Sequence, residues 1–135
     1  MLNTMGVSAN IRADAKAMPD GRHIVSAGSG LGTCIAFPGT ADYAASKAGV
    51  VGYTKGAARD LGRRNITVNV VLAGIIETDM ATASKDKLLS IIMASHAIRR
   101  FAEVEAVAAT IVFLVGSDAS FITGVVIGVN GRFTA

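Results

Sequence analysis

The sequence predicts an α/β fold built on parallel strands, and three observations carry that prediction. Helix-like and strand-like segments alternate along the chain, which implies parallel strands joined by right-handed crossovers. Residues 66–72 form a nearly continuous run of β-branched and apolar residues, the mark of a strand covered on both faces. The apolar mass is mainly Ala, Val and Ile, with five Phe, two Tyr and no Trp, a composition suited to strands packed closely against helices. The length of 135 residues fits one domain. With 51% hydrophobic and only 17% charged residues, and a mean hydropathy of +0.49, a disordered chain is excluded.

Taken in order, residues 2–18 read as an amphipathic helix with Leu2, Met5, Ile11, Ala15 and Met18 near one face. Pro19-Asp20-Gly21 stops it. Residues 22–26 are a short strand, and residues 28–32 a glycine-rich loop that stays irregular through Phe37-Pro38-Gly39. Residues 42–61 are helical, and Asn65 breaks the pattern before the strand at 66–72. A loop over 74–83 leads to a helix over 84–95, with Leu88, Leu89, Ile92 and Met93 on one side. A strong Ala/Val helix spans 103–115, its side chains expected in the core, with Glu103 and Glu105 at its start where carboxylates suit the dipole. The last strand spans 122–129, interrupted by Gly124 and Gly128. Three strands make a small sheet with a bare edge on the first, so the sequence reads as part of a larger sheet.

Several classes of function are set aside by composition. The net charge is +3, with Arg59, Arg63, Arg64, Arg99 and Arg100 in two small groups. These read as a solvated surface, the alternative being attraction to a phosphate-bearing ligand. No basic run carries interleaved aromatics, so nucleic-acid binding is not expected. One cysteine, Cys34, excludes an internal disulfide and points to a reducing compartment. No apolar stretch is long enough to span a membrane, and Met1-Leu2-Asn3-Thr4 does not begin a secretory signal, so a cytoplasmic protein is expected. His23 and His96 lack partners at ligand spacing, and no metal site is expected.

Tyr43 and Lys47 stand four apart at the start of the helix over 42–61, on one face and one turn apart. A phenol beside an ammonium is favoured as phenolate, which suits proton exchange with a substrate. Alone, Tyr-x-x-x-Lys occurs often by chance on an ordinary exposed helix face.

Its surroundings are more specific. Tyr43-Ala44-Ala45-Ser46-Lys47-Ala48-Gly49-Val50 is followed by Gly52-Tyr53-Thr54-Lys55, by Ala58-Arg59-Asp60-Leu61, by Asn65-Ile66-Thr67-Val68-Asn69-Val70-Val71 and by Ile76-Glu77-Thr78-Asp79-Met80. Phe121-Ile122-Thr123-Gly124 and Val129-Asn130-Gly131 close the chain. Together these segments resemble the short-chain dehydrogenase/reductase family, in the branch of the 3-oxoacyl carrier-protein reductases, from Asn3 onward. The resemblance implies the C-terminal half of a Rossmann-type doubly wound parallel sheet, residues 1–135 being the catalytic and substrate side of that domain without its N-terminal cofactor half.

It implies residue roles as well. Tyr43 matches the family's acid/base, and Lys47 the lysine that favours the phenolate and holds the nicotinamide ribose. Ser29 matches the serine that hydrogen-bonds the substrate oxygen; Ser26 is the alternative, and a plain turn serine the ordinary reading. Asn3 resembles the helix asparagine that supports a water relay to the lysine. Gly74, Ile76 and Thr78 match residues that contact the nicotinamide amide and phosphates. The implied reaction moves a hydride between NADP or NAD, with NADP preferred, and a carbonyl or alcohol carbon. A homo-oligomer is implied, formed through the helices carrying Asn3 and Tyr43, with the last strand making a second interface. Three departures stand out. The glycine-rich cofactor loop between first strand and first helix is absent, and the glycines over 28–32 lack its spacing. Ala73-Gly74 replaces a Pro-Gly pair, which loosens that loop. Arg132 stands where a second glycine is usual. The alternative reading is an inactive fragment or pseudo-subunit that binds full-length relatives, with a small nucleotide-binding module on residues 28–32 as a third idea.

Overall fold

A computed structural model describes residues 2–35, 38–76 and 93–132, of Leu2 only the backbone. The chain runs α1 (Leu2–Ala17), β1 (His23–Ser29), α2 (Ala41–Leu61), β2 (Thr67–Ala73), α3 (Val104–Leu114) and β3 (Val126–Val129), with single 3-10 turns at Gly30–Gly32, Gly62–Arg64 and Ser117–Ala119. The three strands are parallel in the order β1-β2-β3, with His23 opposite Thr67 and Val70 opposite Val126. The α/β class and the parallel connections are as the alternation predicted. Residues 77–92, which hold Thr78 and most of the helix expected over 84–95, lie outside the described residues.

β2 explains the layering. Its side chains alternate, so Val68, Val70 and Leu72 face one way and Val71 the other. Val68 packs with Ile11, Ile24, Ala57 and Ala58, and Val70 and Leu72 pack with Val50 and Val51, which places α1 and α2 on one face of the sheet. Val71 packs with Leu114 and Ala119 on the other face, beneath α3. Both faces are covered, and this is why the segment lacks polar alternation. Its one buried amide, Asn69, is bonded at both its nitrogen and its oxygen. Nδ2 donates to the Ile122 carbonyl (2.8 Å), and Oδ1 accepts from the Val125 N–H (3.2 Å).

That amide also explains a difference from the sequence. The last strand begins at 126 and not 122: before the ladder starts, Ile122 and Val125 bond to the Asn69 side chain and the Gly124 N–H donates to the Val68 carbonyl (2.8 Å). Gly124 turns there at φ +71. At its other end the first strand runs longer than expected, taking in Gly28 and Ser29.

Two expected faces are corrected. In α1 the buried positions are Ser8 and Ile11, with Val7 and Met18 packed against the core, whereas Met5 is 65% exposed. The stripe lies one position away from Met5, because α1 lies over both α2 and the sheet. In α3 only Leu114 is buried; Val104, Val112 and Phe113 face outward, as does Val115 just after it. One sheet covers one side of a helix, so an apolar helix lying on it leaves the other side bare. The arginine cluster is corrected in part too. Arg64 is a tie between elements: it donates to the Ala15 carbonyl and to the Met18 carbonyl (2.5 Å), and its Nε meets Asp20 at 2.7 Å. These bonds satisfy carbonyls that the end of α1 leaves open. Asn65 ends the α2 region in the left-handed conformation (φ 53), a residue type that tolerates it.

Thr54 in α2 is fully buried, and its hydroxyl has no hydrogen-bond partner. An unsatisfied buried hydroxyl carries its desolvation cost uncompensated. Thr54→Val keeps the shape and removes that cost, so the variant is expected to be more stable by about 1 kcal/mol. A rise in the urea midpoint at unchanged slope checks it.

Candidate functional site

Among the described candidates, Ser29 and Gly74 stand at or just past the carboxyl ends of β1 and β2, where open parallel sheets place their ligands. Ser29 is the last residue of β1, paired with Ala73. It caps the turn Gly30–Gly32, with Oγ accepting from the Leu31 N–H at 3.3 Å. That bond uses a lone pair and leaves the hydroxyl proton to donate elsewhere. Ser26, the alternative, is buried inside the strand.

Tyr43 and Lys47 lie in the first two turns of α2. Lys47 Nζ sits 5.5 Å from the centre of the Tyr43 ring, within cation–π range. Tyr43 is 45% exposed and Lys47 half-buried, so the pair opens to solvent on one side. The only ion pair among the described residues is Arg64–Asp20, which leaves Lys47 without a carboxylate partner there. No group of three or more His, Cys, Asp or Glu among the described residues is placed to hold a metal. Among those residues no helix is long and apolar enough to cross a membrane.

Two contacts hold the turn of α2 that carries Lys47, and sequence reasoning named neither. Thr4 Oγ1 donates to the Ser46 carbonyl at 2.6 Å, pinning the start of α1 to the residue before Lys47. Gly49 makes the approach possible, since a Cβ there would lie 2.7 Å from Thr4 Cγ2. Asn3 precedes Thr4 and is exposed. On the other side, the turn capped by Ser29 presses on the backbone of α2 at Gly32. A Cβ on Gly32 would stand 2.9 Å from the Lys47 carbonyl carbon and oxygen. Small residues opposite helix backbone were the available signal; the partner of each is set by the fold.

Gly32→Ala therefore drives a methyl group into backbone that cannot rotate away. The expected cost is about 1–3 kcal/mol, the range for overpacking. Urea unfolding reads the loss, and a shifted Lys47 amide resonance shows that the strain falls on the site.

The glycines over 28–32 do not form a phosphate cradle. A Cβ on Gly28 would meet Leu72 Cδ2 at 2.6 Å, and Gly30 is buried. With Gly32 against α2, these glycines answer to packing, which counts against the nucleotide-module idea. Gly74 likewise answers to packing: its N–H donates to the Val129 carbonyl (3.0 Å), and a Cβ would lie 2.6 Å from Asn130 Cα. Ile76 pairs with Ala102 in an isolated parallel bridge. Thr78 lies outside the described residues.

Residues 1–134 match the family described as enoyl-(acyl carrier protein) reductase. Among curated relatives, the 3-oxoacyl-[acyl-carrier-protein] reductase FabG of Escherichia coli is 41% identical over 122 residues, covering 89% of this chain and 50% of the relative. A cyclic-di-GMP-binding biofilm dispersal mediator protein of the same organism is 40% identical over 121 residues, covering 90% of this chain and 51% of the relative. Among solved structures, a blue fluorescent protein from a metagenomic library, in complex with NADPH, superposes with a TM-score of 0.93 at 38% identity. That match covers 99% of this chain and 54% of the other. The chain spans about half the length of the curated relatives it matches.

Proposed function

Since the chain belongs to the short-chain dehydrogenase/reductase family, we propose that Ser29, Tyr43 and Lys47 form the proton-transfer side of an NADP(H)-dependent reductase site acting on a carbonyl or alcohol of the 3-oxoacyl type. The observation that carries this reading is the ammonium of Lys47 set 5.5 Å over the Tyr43 ring on one helix face. NADP(H) is favoured over NAD by the NADPH held in the metagenomic relative. The substrate class follows the FabG relative, although the dispersal mediator, at nearly the same identity, bears a different name.

The residues present fit the nicotinamide riboside end of such a cofactor. Lys47 keeps its donors for hydroxyl groups, having no carboxylate partner among the described residues. When bound, the nicotinamide supplies a hydride to the carbonyl carbon. The protein's part is the oxygen. Ser29 donates a hydrogen bond to it and orients it, and Tyr43 gives it the proton it needs as negative charge develops. Lys47 stabilises the charge left on the phenol oxygen and holds the ribose. Asn3 would support a water relay to Lys47, and Gly74, Ile76 and Thr78 would help hold the nicotinamide amide and phosphates. The pyrophosphate finds no cradle at the glycines over 28–32, which are packed against protein.

The alternative is a subunit without catalysis of its own that associates with full-length relatives through α1 and α2. Titration with NADPH, followed by cofactor fluorescence, separates the two. Saturable binding together with reduction of a 3-oxoacyl thioester supports the reductase. No saturation at millimolar cofactor, with a mixed oligomer on size exclusion beside a relative, supports the subunit.

A further inference from the structure

Away from Tyr43, a cavity of about 310 Å³ lies between the end of β3 and the segment 96–102. That is the lower end of the volume range for small-molecule sites. Arg100 and Arg132 both line it, with Ile75, Ile98 and Phe101 among its apolar walls, and no acidic side chain is among its lining residues. Neither arginine has an ion-pair partner among the described residues. Arg100 Nη1 donates to the Phe101 carbonyl at 3.1 Å, which leaves most of its guanidinium free to bond elsewhere.

The backbone beneath Arg132 adds a second, independent observation. Arg132 holds φ +56 immediately after Gly131 at φ +57. A left-handed arginine is strained where glycine is not. The conformation is held by three bonds: the Arg132 N–H to Asn130 Oδ1 (3.2 Å), the Ile98 N–H to the Gly131 carbonyl (3.0 Å) and the Ala97 N–H to the Arg132 carbonyl (3.4 Å). The strained residue is thus fixed to the segment that carries Arg100. Strain kept in place by its surroundings is a reason to look for a role in the side chain.

We propose that this cavity binds a small amphiphilic organic anion, its carboxylate or phosphate held by Arg100 and Arg132 and its short apolar body lying against Ile75, Ile98 and Phe101. Two guanidiniums suit planar or tetrahedral oxyanions through paired N–H donors. The apolar walls favour an alkyl anion over an inorganic one. None of Ser29, Tyr43 or Lys47 lines the cavity; Ile75 does, between Gly74 and Ile76, while the two arginines stand outside the proton-transfer group of the reductase reading.

The test is calorimetric titration of the full chain with hexanoate, hexyl phosphate and inorganic phosphate. At least one alkyl anion is expected to bind saturably and at least tenfold more tightly than inorganic phosphate. Whichever of the two binds more tightly identifies the head group. Arg132→Gly is the informative variant, because glycine suits the backbone there and the protein stays folded; it is expected to weaken binding at least tenfold. Arg100→Gln is expected to do the same, and Tyr43→Phe to leave binding unchanged. The proposal is overturned if neither alkyl anion saturates at millimolar concentration, if inorganic phosphate binds as well as they do, or if both arginine variants bind like the parent.

Discussion

Tyr43→Phe is expected to lower kcat for reduction of a 3-oxoacyl thioester by about 10²–10⁴-fold, the range for losing a positioned proton donor. On the proposed reductase reading the effect belongs to kcat, since the phenol proton would be needed only as charge builds on the substrate oxygen. Tyr43 is close to half exposed, so the urea midpoint is expected to stay nearly constant. Steady-state NADPH oxidation gives kcat and KM, and unfolding runs in parallel. A variant that keeps the parent rate removes Tyr43 from the chemistry. A variant that loses rate and stability together assigns Tyr43 to the fold instead.

Asn69→Ala carries the largest expected effect on stability. The side chain is fully buried in β2 and serves two backbone groups, the Ile122 carbonyl and the Val125 N–H. Truncation leaves both without that partner in the interior and opens a cavity beside them. At about 1–3 kcal/mol for each orphaned group, the expected loss is about 2–5 kcal/mol. For a domain of ordinary marginal stability that is a large share of the whole. Urea unfolding measures it. A loss below 1 kcal/mol would mean that residues 122–125 reach β3 without the amide.

Much of the fold was legible because its signals are local. The β-branched run read as a doubly covered strand, and β2 is one. Asn65 read as a break, and its left-handed backbone is the reason. What stayed hidden depends on pairs of distant residues. Nothing in 122–129 shows that Ile122 and Val125 bond to a side chain on another strand. Nothing in the Ala/Val helix tells which side the sheet will cover, so Phe113 and Val112 were placed in the core and stand outside. The site divides in the same way. Tyr43 and Lys47 share a helix, and their i, i+4 spacing puts them together before any tertiary contact is known. The supports at Thr4 and Gly32 come from α1 and from the turn after β1, and only folding brings them to Lys47. Arg100 and Arg132 are neighbours in no sequence sense; the departure at Arg132 was visible, but the cavity that gives it meaning was not.

The central place of β2 has a consequence for the timescales on which the molecule opens. β2 pairs with β1 on one side and with β3 on the other, and six of its seven residues are buried. Its amide protons reach solvent only when the sheet separates or the whole domain unfolds. In deuterated water they should exchange last, at rates set by the global unfolding free energy. β1 and β3 each have one side unpaired among the described strands, so their outward amides exchange through smaller openings. A ligand that bound at the strand ends would then slow the edges toward the rate of the centre, and the order of protection along the sheet would report which side it had closed.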